Sequence, residues 1–133
     1  MIPKLLQRDP TKRSAIINVA SIAGLTEGNR DSAVYCATQA YNITFGKCLH
    51  DTYKDRIDVL TITPNTIEGK MTRGPYLFPV EAETFVSSAL DRLGSGNYTR
   101  GNWKHALEPY ALNLLKYCWI GSHNDNVRYL DYL

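Results

Sequence analysis

Ser14-Ala15-Ile16-Ile17-Asn18-Val19-Ala20 and Ile57-Asp58-Val59-Leu60-Thr61-Ile62-Thr63 are the two stretches that decide how this chain folds. Each is a short, mostly apolar run rich in β-branched residues. Pro10 and the polar residues around it precede the first, and Pro64-Asn65 stops the second. Runs bounded in this way fit strands buried on both faces, as in a parallel sheet. Between them Ser32 stands where a helix N-cap belongs. Apolar residues then recur at Val34, Ala37, Tyr41, Phe45, Cys48 and Leu49. Those spacings of three and four predict an amphipathic helix from Ala33 to about Tyr53. Strand, helix and strand in succession make one βαβ unit, expected to be parallel with a right-handed crossover.

Outward from this unit, residues 1–13 read as the end of a helix followed by a polar turn, because Pro10 forbids its continuation. Residues 21–31 form a loop, and so do residues 64–79, with Pro64, Gly69, Gly74, Pro75 and Pro79. Residues 80–93 predict a helix with Phe85, Val86, Ala89, Leu90 and Leu93 on one stripe, ended by Gly94 and Gly96. The segment 97–104 has room for a short third strand. Pro109 is placed at the first turn of a last helix whose stripe is Ala111, Leu114, Leu115, Cys118 and Trp119. The tail, 122–133, is expected to dock rather than hang loose.

The 133 residues include 15 Lys+Arg and 13 Asp+Glu, a formal net charge of +2, with 21% charged and 44% hydrophobic residues. These values are near those of globular domains and exclude a disordered tail, a collagen-like repeat and a basic nucleic-acid arm. No Lys/Arg cluster is interleaved with aromatics as nucleic-acid binding requires. No apolar run is long enough for a simple membrane-spanning helix, and the first residues lack the apolar core of a secretory signal. Cys36, Cys48 and Cys118 show no paired spacing, which points to a reducing compartment and no metal site. His50, His105 and His123 have no metal-ligand spacing and read as packing or surface residues.

Ile16-Ile17-Asn18-Val19-Ala20-Ser21-Ile22-Ala23-Gly24, then Tyr35-Cys36-Ala37-Thr38-Gln39-Ala40, then the loop from Pro64 to Met71, resemble the second half of a short-chain dehydrogenase/reductase in order and spacing. A serine ends a buried strand, a tyrosine opens the next helix 14 residues on, and a proline loop follows the next strand. Glu83-Thr84-Phe85-Val86-Ser87-Ser88-Ala89 and Gly101-Asn102-Trp103-Lys104-His105-Ala106-Leu107 look most like hydroxysteroid dehydrogenase and very-long-chain 3-oxoacyl-CoA reductase proteins. The resemblance implies an α/β fold, the C-terminal half of a Rossmann-like doubly wound parallel sheet. It implies one partial domain over 1–133, incomplete on its own and lacking the dinucleotide-binding half.

In that family a tyrosine hydroxyl protonates the carbonyl oxygen as hydride moves from the nicotinamide, and a serine fixes the same oxygen. By position Tyr35 is the acid and Ser21 the anchor, while Gln39, Pro64 and Gly69 stand at cofactor-facing positions. The departures matter chemically. A tyrosine has a pKa of about 10, and the family lowers it with a lysine four residues on that also holds the ribose. Here that position is Gln39, an amide that forms hydrogen bonds but brings no charge. The usual Pro-Gly is Pro64-Asn65, and the usual threonine five residues past the proline is Gly69. No glycine-rich turn that cradles a pyrophosphate occurs in these residues.

The expectation is therefore a degenerate member of this family acting as a structural or accessory subunit of a larger protein complex, with no hydride transfer and no cofactor. The alternative is an NADP(H)-dependent ketosteroid or 3-oxoacyl-CoA oxidoreductase, either completed by a second chain or intact, with this sequence a truncated part of it. Other subunits are expected to pair along the strand edge at 16–20, which otherwise exposes unpaired N–H and C=O groups. The nine Tyr and two Trp suit such an interface. The helix at 109–120 is short for a span and is read as packed against protein, with contact to a membrane surface as the other option. The expected location is intracellular and reducing, with the endoplasmic reticulum membrane and a mitochondrial complex both open.

Overall fold

The computed structural model describes residues 1–25, 31–70, 72 and 78–119, with side chains described through residue 111. Helix α1 (Ile2–Leu6) carries Pro3 in its first turn, where a missing N–H costs nothing. The polar turn after it is closed by Asp9, whose Oδ1 accepts from the Thr11 amide at 2.9 Å and the Thr11 hydroxyl at 2.7 Å. Strand β1 (Ser14–Val19) follows, then a single 3-10 turn (Ile22–Leu25), helix α2 (Ala33–Tyr53) and strand β2 (Ile57–Ile62). Two short strands, β3 (Ile67–Glu68) and β4 (Val80–Glu81), precede helix α3 (Ala82–Leu90), strand β5 (Tyr98–Thr99) and helix α4 (Trp103–Trp119).

β1, β2 and β5 form one parallel sheet in the order β1-β2-β5. β1 pairs with β2 from Ser14 opposite Ile57 to Val19 opposite Ile62, so the expected βαβ unit and its parallel sheet are present. β3 and β4 pair separately, also in parallel. β2 is the central strand and is buried almost throughout, because it has a neighbour on each edge and a helix on each face. One face receives α2. There a Cβ on Gly46 would meet the Thr61 and Asn18 side chains, and Asn18 Nδ2 donates to the Asn42 carbonyl at 2.7 Å. The other face joins Leu60 and Ile62 to Val80, Phe85 and Ala89, with Ile67 and Leu93 packed against them.

β1 departs from the expectation of burial on both sides. Ser14 is buried and Ile16 and Asn18 half-buried, but Ala15, Ile17 and Val19 are exposed. α3 covers the β2 side of that face, and nothing among the described residues covers β1 or pairs with its outer edge. Arg13 secures the strand's start, donating to both oxygens of Asp58 at 3.0 and 3.1 Å and to the Lys54 and Asp55 carbonyls at 2.6 and 3.2 Å.

Three other expectations are corrected. The buried residues of α2 are Cys36, Ile43 and Gly46, whereas Val34 and Tyr41 from the expected core stripe are 79% and 65% exposed. A close approach to the sheet requires small or slender side chains at the contact, which the aromatic stripe does not offer. Tyr41 and Phe45 stack on each other outside instead, with centroids 5.7 Å apart. On α3 only Phe85 and Ala89 are buried, and the helix ends at Leu90, ahead of the two glycines. α4 starts at Trp103 rather than at Pro109, which lies inside it. Asn102 caps that start, its Oδ1 accepting from the Lys104 amide at 3.0 Å. The expected docked tail lies outside the described residues, as do the side chains of most of the last helix's stripe. No helix among the described residues is long and apolar enough to cross a membrane.

Candidate active site

All three strands of the main sheet point the same way, so the segments leaving them gather at one edge, the carboxyl edge where open α/β sheets place their ligands. Ser21 leaves β1 there. Its hydroxyl accepts from the Ala23 amide at 3.2 Å and its carbonyl from the Gly24 amide at 3.0 Å, a serine turn closed on itself. The Ile22 amide donates to the Pro64 carbonyl at 3.1 Å, which joins this turn to the loop leaving β2. Gly24 lies against α2 so closely that a Cβ would stand 2.5 Å from the Gln39 carbonyl carbon. The serine turn is thereby seated on the helix one turn past Tyr35.

Tyr35 opens α2 and is 51% exposed. Its carbonyl accepts from the Thr38 hydroxyl at 2.7 Å, and its own hydroxyl meets no partner among the described residues. Gln39 is half-buried, and its Oε1 is covered by neighbouring atoms without a hydrogen-bond partner among the described residues. The structure thus brings Ser21, Gln39 and Pro64 together through backbone contacts and sets Tyr35 on the adjoining turn. Gly69 is not drawn in: it is exposed, with open space where a side chain would stand.

The sequence reading missed the residues that organise the loop leaving β2. Thr63 donates to the Tyr98 hydroxyl at 2.7 Å. His105 is fully buried and holds Asn65 and Thr66, and buried Glu108 accepts from the Asn65 side-chain amide. These partners lie roughly forty positions away from the loop on α4, so no local spacing announces them. Among the described residues no group of three His, Cys, Asp or Glu is placed to hold a metal ion.

A serine turn after one parallel strand, a tyrosine at the start of the crossover helix and a proline loop after the next strand are the layout of a dehydrogenase of the short-chain type. Sequence comparison agrees. The chain is 34% identical to a protein named as a steroid dehydrogenase in Caenorhabditis elegans, over 84% of its own length and 36% of that relative's. It is 33% identical to the very-long-chain 3-oxoacyl-CoA reductase of Rattus norvegicus and 30% identical to that of Homo sapiens, in each case over 90% of this chain and 38% of the relative. No protein-family profile matches. Over the matched residues the chain belongs to the short-chain dehydrogenase/reductase superfamily. It spans a little over a third of the length of these relatives.

Proposed function

We propose that this chain is a degenerate short-chain dehydrogenase/reductase segment that serves as a structural or accessory subunit of a larger protein complex and does not transfer hydride. Gln39 carries the reading. At the position from which a cation would lower the tyrosine's pKa stands a neutral amide, and a neutral group does not stabilise a phenolate by charge. Its Oε1 is already covered, so it presents no acceptor to a ribose hydroxyl. Gly69 adds no side chain where the family has a threonine. These residues do not fit a nicotinamide dinucleotide held in the family's manner, and no step is derived through one. The unpaired edge of β1 and its bare Ala15, Ile17 and Val19 support a role for a neighbouring subunit that adds a strand and covers that face. The experiment is turnover of NADPH with ketosteroids and 3-oxoacyl-CoA thioesters, using the chain in its assembly. The expected rate equals that of Tyr35→Phe; turnover that depends on Tyr35 overturns the reading.

A second reading is favoured by Ser21 and Tyr35 standing beside the same edge, and by the names of the relatives. In it the chain is part of an NADP(H)-dependent ketosteroid or 3-oxoacyl-CoA oxidoreductase whose glycine-rich half is supplied by another polypeptide along β1. Gln39→Lys separates the two readings: it raises turnover in the second and leaves background in the first.

A further inference from the structure

His105 sits in the first turn of α4 with no exposed surface. Its Nδ1 lies 3.4 Å from the Asn65 amide nitrogen and its Nε2 3.0 Å from the Thr66 carbonyl. An amide N–H only donates and a carbonyl only accepts. The two contacts therefore select one form of the ring, neutral imidazole with its hydrogen on Nε2. Three residues on, Glu108 is buried on the same side of α4 and takes the Asn65 side-chain N–H.

The helix is built to bring these two side chains in together. Pro109 has no N–H, so the His105 carbonyl loses its partner within the helix. Arg100, between β5 and α4, donates to that carbonyl at 3.4 Å. Among the described residues, the charged groups tied into this cluster by hydrogen bonds are Glu108 from α4 and Arg100 from the link to β5. α3 contributes the Phe85 ring, 5.6 Å away and tilted by 42°, and the β2 loop contributes backbone groups of Asn65 and Thr66. The gripped segment is itself a junction: the Pro64 carbonyl takes the Ile22 amide and the Thr66 carbonyl takes the Val80 amide at 3.3 Å.

We propose that His105 and Glu108 are positioning residues that hold the 64–66 segment, and through Pro64 the Ser21 turn, at the carboxyl edge, and that a second proton on His105 releases this grip. Protonation places an Nδ1–H against the Asn65 N–H, two donors facing each other, and leaves that half-buried amide without its acceptor. The proposal rests on the carboxyl edge being the site. It is tested without turnover, so its failure is separate from that of either functional reading.

The experiment follows the full 15N-labelled chain by NMR across a pH titration, reading the His105 ring nitrogens and the exchange of the Asn65 amide. At neutral pH the ring should show the Nε2–H tautomer and the Asn65 amide should be protected. As His105 takes its second proton, intrinsic-rate-corrected exchange at Asn65 should rise about tenfold, the order of one lost hydrogen bond, while Leu60 and Thr61 stay protected. His105→Phe should show the faster exchange already at neutral pH, and His105→Asn, which restores an acceptor near Nδ1, should recover protection. An Nδ1–H tautomer, exchange at Asn65 that ignores the His105 titration, or simultaneous loss at Leu60 and Thr61 overturns the proposal. The wild-type titration decides by itself if a variant does not fold.

Discussion

Gly101→Ala tests how the last third of the chain is locked onto the sheet. Gly101 is buried and has φ of +81°, a left-handed conformation that costs an alanine about 1–2 kcal/mol. The added Cβ would also stand within 3.0 Å of three atoms of the Phe85 ring. That ring belongs to the core with Leu60, Ile62, Val80 and Ala89, so it has little room to retreat. Overpacking of this kind costs about 1–3 kcal/mol, and the two contributions together give a destabilisation of about 2–5 kcal/mol. The partition is measurable. In a Phe85→Leu background the clash is relieved, and adding Gly101→Ala should then cost only the backbone share of about 1–2 kcal/mol. The assay is urea unfolding of the four proteins in the cycle, comparing midpoints at a common slope. Additive costs, agreeing within about 0.5 kcal/mol, would refute the contact argument. So would a Gly101→Ala protein as stable as the parent. The outcome bears on the site because Phe85 also lies against His105.

Gly46→Ala gains about 1 kcal/mol of helix propensity but drives a Cβ into Asn18 and Thr61 at about 1–3 kcal/mol; a net loss of up to about 2 kcal/mol is expected in urea unfolding. Gly69→Ala meets open space and should leave the midpoint within about 0.5 kcal/mol of the parent. Asn102→Ala removes the cap of α4 and the hydrogen bond from Asn102 to the Ser88 hydroxyl, a loss of about 1–2 kcal/mol by thermal or urea unfolding. The Asp58 carboxyl is held below the usual carboxylate range by its hydrogen bonds from Arg13. A lowered folded pKa makes this contribution complete above the ordinary aspartate value of about 3.9, and it disappears as pH falls through the folded value. The stability gap between the parent and Asp58→Asn should therefore be constant near neutrality and close in acid, read from urea midpoints along a pH series.

The candidate site was legible only in part. Ser21 and Tyr35 stand out through the family resemblance, whose motifs are local in sequence, and the structure keeps both beside the carboxyl edge. Gln39 was identified as the altered position, yet the burial of its Oε1 without a partner among the described residues is a property of the folded chain alone. His105 read as a packing residue. It does pack, but its two ring nitrogens are committed to a loop some forty residues earlier, and nothing in its neighbourhood along the chain marks that.

The βαβ unit and the helices after it were written in the sequence, because β-branched runs and three-to-four spacing act on the backbone within a few residues of themselves. The short β3 and β4, within and after the expected 64–79 loop, were not. Which face of α2 turns inward was decided by the sheet beneath it. Gly46 allows the close approach to Thr61 and Asn18, so the more apolar stripe of Tyr41 and Phe45 is left outside. The start of α4 was likewise settled at a distance. Pro109 reads locally as a first-turn residue, but the Asn102 cap and the Arg100 contact to the carbonyl that Pro109 leaves unpaired carry the helix six residues further back. Periodicity fixes backbone conformation, whereas donors and acceptors remote in the chain choose which surfaces meet, and only the folded molecule brings those partners together.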